Sequence, residues 1–118
     1  MQRIAFSLST CDTSKRILKA ANINDSNFEI RDIKSTSISI KELDLMKTMT
    51  GSYEALFSRR ARKYKTMGLK DKSLSEKDYK ELILQDYTFL KRPVIIIDKQ
   101  IFVGNSKKNI EALLDALK

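Results

Sequence analysis

Apolar and polar positions alternate over Arg3-Ile4-Ala5-Phe6-Ser7-Leu8, a pattern that predicts a first strand. Ser9-Thr10 breaks the alternation, and from there Ser14, Ile17, Leu18 and Ala21 recur at helical spacing, which predicts a helix with one face on a sheet. A turn-rich stretch over residues 22–27 follows, and Phe28-Glu29-Ile30-Arg31 alternates again. Strand, helix and strand thus fit within about thirty residues, the size of a right-handed βαβ unit.

The middle of the chain reads as helical. Ser39 followed by Glu42 makes a capping box ahead of Leu43 and Met46, so a helix should begin near Ile40 and end or break at Gly51. If helix continues unbroken through Arg60, then Tyr53, Leu56, Phe57 and Tyr64 share one face and Arg60 lies at or near that inner face, where a guanidinium needs an anion. A further helix is announced by Ser75 with Asp78, with Leu74 placed to staple onto Tyr79 and a buried stripe of Tyr79, Leu82 and Ile83.

The pattern changes at the only proline. Pro93-Val94-Ile95-Ile96-Ile97 is a continuous β-branched run, expected of a central strand covered on both faces. Asp98-Lys99-Gln100 turns the chain, Ile101-Phe102-Val103 returns antiparallel, and Gly104-Asn105-Ser106 caps a last helix on Ile110, Leu113, Leu114 and Leu117. The expected fold class is therefore α/β, in the order βαβ, helices, ββα. It forms a single domain over residues 1–118 with a helical insertion at about residues 39–90.

With 118 residues, 42% of them hydrophobic, the chain suffices for one core. No apolar run is long enough to cross a bilayer, and the opening residues turn polar too soon for a signal peptide, so a cytoplasmic protein that does not engage membranes is expected. The absence of histidine and the single cysteine leave too few ligands for a zinc site, and no metal is expected. A net charge of +8 attracts anions without choosing among them. The densest basic run, Arg59-Arg60-Ala61-Arg62-Lys63-Tyr64-Lys65, has no groove-reading motif, so direct nucleic-acid binding is not expected.

Cys11 is the only cysteine. An isolated cysteine is ordinarily a small buried hydrophobe. This one stands where a strand gives way to a helix, so first-turn N–H groups and the helix dipole favour its thiolate. Ser14 can donate to the sulfur, Lys15 and Arg16 add positive charge, and Asp12 opposes them. No second cysteine can close an intrachain disulfide, so any redox chemistry must recruit a thiol from outside. Pro93, after Arg92, opens the central strand where a cis bond can be accommodated.

Cys11 at that junction, Phe57-Ser58-Arg59-Arg60 ahead of Tyr64-Lys65-Thr66-Met67-Gly68-Leu69, and Leu90-Lys91-Arg92-Pro93-Val94-Ile95 followed by Val103-Gly104 together resemble the glutaredoxin-type arsenate reductase and Spx family. The resemblance spans nearly the whole chain, and its most specific part runs from residue 90 to 104. It implies a thioredoxin-like fold with a helical insertion, Pro93 as a structural cis-proline facing Cys11, and no bound cofactor. It further implies Cys11 as the catalytic nucleophile toward an arsenate-like oxyanion or a disulfide, and Arg60 and Arg92 as oxyanion-binding residues. Ser14 is the catalytic neighbour, compatible with a monothiol route through a mixed disulfide with glutathione. Glutathione as co-substrate and glutaredoxin as partner follow from the same resemblance. The chain departs from the reductase pattern in having no histidine and no arginine beyond Arg92. The Spx branch implies an alternative, a regulator of transcription whose region around Gly51 binds RNA polymerase, at the carboxy-terminal domain of the polymerase α subunit. That branch's Cys-x-x-Cys switch is missing its second thiol here, because Ser14 holds the position.

Overall fold

The computed structural model describes residues 3–118; Met1 and Gln2, where the expectation about a signal peptide begins, lie outside the described residues. The chain divides into two compact units, one made of the chain up to Thr36 with Arg92–Lys118, the other of Ser37–Lys91.

The first unit holds strands β1 (Arg3–Ser7), β2 (Glu29–Asp32), β3 (Val94–Ile97) and β4 (Gln100–Val103), with helices α1 (Asp12–Ala20) and α5 (Lys107–Ala116). The strands lie in the order β2-β1-β3-β4. β1 and β2 run parallel, as the crossover through α1 requires, and β3 is antiparallel to both β1 and β4. Ala5 pairs with Ile95 and Phe6 with Val94. Every residue of β3 is buried, as its unbroken β-branched run predicts for a strand inside the sheet. One sheet face carries Ala5, Ile95, Ile97 and Phe102 into a core with Ile17 and Leu18 of α1 and Leu113 of α5. Asp98, at φ 52, makes the turn into β4.

The second unit holds α2 (Ile40–Thr50), α3 (Arg62–Thr66) and α4 (Glu76–Gln85), joined by short 3-10 turns. Both predicted capping boxes are formed, Ser39 with Glu42 and Ser75 with Asp78. They satisfy the first-turn N–H groups of α2 and α4. Tyr79 and Ile83 are buried, whereas Leu82 is only partly so.

The unbroken helix through Arg60 is not formed. Gly51 takes a left-handed conformation, φ 100, and its N–H closes on the Lys47 carbonyl, ending α2. Glu54–Leu56 is then a 3-10 turn, and Phe57 is extended, bridging Leu90 antiparallel. Ser58 N–H donates to the Phe89 carbonyl at 2.7 Å and Lys91 N–H to that of Leu56 at 2.9 Å, so the segment after Gly51 trades helix for pairing with a distant stretch. The aromatic positions meet differently from the helical expectation. Phe57 stacks on Phe89 with centroids 5.2 Å apart, lies 4.9 Å from Tyr79, and meets Tyr64 edge-on at 6.0 Å.

Candidate active site

β1 ends at Ser7, and Leu8 remains buried before Ser9 and Thr10 turn outward. Cys11 N–H donates to the Leu8 carbonyl at 2.9 Å, closing the turn. Cys11 is then the N-cap of α1, with extended backbone (φ −102, ψ 108), while its carbonyl accepts the first helical bond from Lys15 N–H at 3.1 Å. The half-exposed thiol therefore sits in the position where serine or aspartate oxygens usually cap a helix. Orphan N–H groups and the positive end of the helix dipole favour an anion there.

Desolvation is the largest single influence on this thiol and pushes its pKa up, but the donors around it prevail and the net shift is downward. They are the Ser14 hydroxyl, the Ser14 backbone N–H, and the Arg92 guanidinium acting both as donor and as charge. The Ser14 contacts are looser than full hydrogen bonds. Cys11 makes no side-chain capping bond by strict geometry, and the completely buried Ser14 Oγ finds no fully formed partner. A neutral thiol is a weak acceptor, so loose contacts are expected before ionisation. They strengthen when the sulfur carries charge.

Arg92 precedes Pro93 across a cis peptide bond. Pro93 is buried, and its carbonyl accepts Gly104 N–H at 2.9 Å, which ties the entry of β3 to the exit of β4. Cys11, Ser14, Arg92 and Pro93 all belong to the first unit.

Arg60 belongs to the second unit and is exposed, in the turn before α3, with its backbone N–H donating to Ser58 Oγ at 3.3 Å. The expected inner-face position is thus corrected, for the reason that Gly51 and the Phe57–Leu90 bridge remove the helix on which it was counted. The neighbouring Arg59 makes the contacts foreseen for it. Its Nη2 donates to Glu54 Oε2 at 2.8 Å and to the Tyr79 hydroxyl at 3.1 Å. Helical counting could not single out Arg59, because the contact depends on a turn set by long-range pairing. Sequence reading also passed over Asp32, whose carboxylate reaches into the turn that carries Cys11. Its only local signal is Ser35 three residues on, an ordinary turn pattern.

Comparison with known proteins places the chain among relatives of matching architecture. The family model of the ArsC family matches residues 6–113. No curated protein matches the chain. Among solved structures it is similar to the YFFB protein, at 20% identity and a TM-score of 0.76 over 96% of this chain and 99% of that one. It is similar to the arsenate reductase from Vibrio cholerae at 20% identity and TM-score 0.72, covering 98% of this chain and 97% of that one. An arsenate reductase (ArsC) related protein from Brucella melitensis matches at 23% identity and TM-score 0.66, over 95% and 93% of the two chains. With a family match over nearly its full length and the sheet order, crossover and helical insertion described above, this chain belongs to the ArsC family and has its thioredoxin-like fold.

Proposed function

We propose that the protein is a monothiol oxidoreductase of the arsenate reductase type, with the Cys11 thiolate as nucleophile and an arsenate-like oxyanion as substrate. The observation that carries this reading is the thiol at the start of α1, drawn toward its anion by Ser14 and Arg92. Arg92 offers planar donors that suit a tetrahedral oxyanion. Arg60, exposed in the second unit, is the other residue that the resemblance to the reductases assigns to the oxyanion, and its part is put to the test by substitution.

In the first step the Cys11 sulfur attacks arsenic, forming an S–As bond while an arsenate oxygen leaves as water. Reducing As(V) to As(III) takes two electrons. Since the chain holds one cysteine, they come from two external thiols, one of glutathione and one of glutaredoxin, which end joined as a disulfide while Cys11 is regenerated. Ser14 supports the thiolate both as attacking group and as leaving group. Such thiol chemistry requires no resident cofactor.

The test is arsenite formation by the purified protein with arsenate, glutathione and glutaredoxin. Cys11→Ser should abolish turnover. Arg92→Ala and Arg60→Ala should each raise KM for arsenate by roughly tenfold or more, the value of a charge-assisted contact. Glutathionylation of Cys11 that glutaredoxin reverses, without any arsenite formed, would replace the oxyanion with a disulfide as substrate. A Cys11 that neither reacts nor ionises at neutral pH would end the proposal.

A further inference from the structure

Asp32 closes β2 and pairs in register with Ser7 at the end of β1. Its carboxylate does more than hold its own turn, where Oδ1 accepts Lys34 N–H at 3.2 Å and Oδ2 accepts the Ser35 hydroxyl at 2.9 Å. Oδ2 also accepts the Ser9 hydroxyl at 2.7 Å, and Oδ1 the Ser9 backbone N–H at 3.3 Å. Ser9 lies inside the turn that Cys11 N–H closes on the Leu8 carbonyl. One carboxylate therefore links the end of β2 to the segment that delivers Cys11 to the N-terminus of α1.

We infer that Asp32 is a positioning residue for the reacting thiol, holding the Ser9 turn so that the Cys11 sulfur meets the Ser14 donors. The inference rests on the reading of Cys11 as the nucleophile. The Ser9 contacts run between segments 23 residues apart in sequence, so they are not by-products of a local turn. The Ser9 hydroxyl above all, then the Ser35 hydroxyl and the Ser9 and Lys34 N–H groups, hold the Asp32 carboxyl down to about 2 against its desolvation. It is ionised throughout the working range of a thiol enzyme, and its bonds to Ser9 are charge-assisted. Asp32 does not touch substrate in this scheme. Without it the Ser9 turn is held by its backbone bond alone, and the sulfur samples orientations in which Ser14 does not donate.

A charge effect and a positioning effect have opposite signs. A nearby negative charge raises a thiol pKa, so removing it would lower the value, whereas loss of the donors raises it. The experiment follows alkylation of Cys11 by iodoacetamide against pH in the full-length protein, with circular dichroism to confirm the fold of each variant. Asp32→Ala should raise the midpoint by about half a pH unit and slow alkylation at neutral pH about threefold. Asp32→Asn, which keeps an acceptor oxygen, should recover most of the loss. Ser9→Ala should give a smaller rise in the same direction, and Ser35→Ala, which touches only the Asp32 turn, none.

Folded Asp32→Ala and Ser9→Ala proteins with the parent midpoint, or a fall in the midpoint, would overturn the inference while leaving Cys11 as nucleophile. If Asp32→Ala does not fold, the sign of the shift in Ser9→Ala decides. A parent thiol that titrates near the ordinary value of about 8.5 would remove the reading of Cys11 itself, and the role of Asp32 with it.

Discussion

At Cys11, desolvation alone would favour a neutral thiol, and the anion is favoured only because Ser14 and Arg92 together outweigh it. The Ser14 hydroxyl is the largest single donor among these influences and Arg92 acts both as donor and as charge, so Ser14→Ala and Arg92→Ala should each raise the alkylation midpoint above the parent. Rates of iodoacetamide labelling across pH check both shifts. The thiol is an acid whose pKa falls on folding, so the folded state binds fewer protons than the unfolded chain between the two pKa values. The resulting stability is fully present above the ordinary thiol pKa, about 8.5, and is lost as pH falls through the depressed value. Thermal melts of the parent and Cys11→Ala should therefore diverge in favour of the parent as pH rises from about 6 to about 9. Cys11 and Ser14 were legible in the sequence because their relation is local, a cap and its third helical residue. Asp32 was not, since its partner Ser9 lies across a strand crossover that no local pattern records.

Elements whose signals are local matched the reading closely. α2 begins at Ile40 and α4 at Glu76, each one residue after the serine of a capping box, and β3 occupies the β-branched run. The stretch between Gly51 and α3 did not match. Its aromatic spacing fits a helical face, yet Phe57 gains more by stacking on Phe89 and pairing with Leu90, partners more than thirty residues away. Gly51 makes that departure possible. An added Cβ there would meet nothing within 4 Å, so its φ of +100 is the sole obstacle to a side chain. Gly51→Ala should accordingly cost about 1 kcal/mol through backbone strain alone, readable as a lower denaturation midpoint at unchanged m-value. A cost near zero would mean that the end of α2 relaxes into another conformation.

For the molecule as a whole, the order βαβ, helices, ββα follows from periodicity. No helix among the described residues is long and apolar enough to cross a membrane. Net charge is a property of this scale too. A surplus of +8 raises the local concentration of anions over the surface, and Lys15 and Arg16 are exposed within two helical turns of Cys11. This attraction is long-ranged and salt-dependent, unlike the short contacts with Ser14 and Arg92. The Debye length shrinks from about 30 Å at 0.01 M to about 10 Å at 0.1 M, so the far charges drop out first. Paired reagents separate the two effects, because iodoacetate and iodoacetamide attack the same thiolate with similar chemistry but differ in charge. Their rate ratio cancels the thiol pKa and keeps the field. It should favour iodoacetate at low salt, relative to a free thiol, and fall several-fold as ionic strength rises through that range. A ratio that does not respond to salt would confine the anion preference of the site to Arg92 and its immediate neighbours, and the basic surface would then contribute nothing to substrate capture.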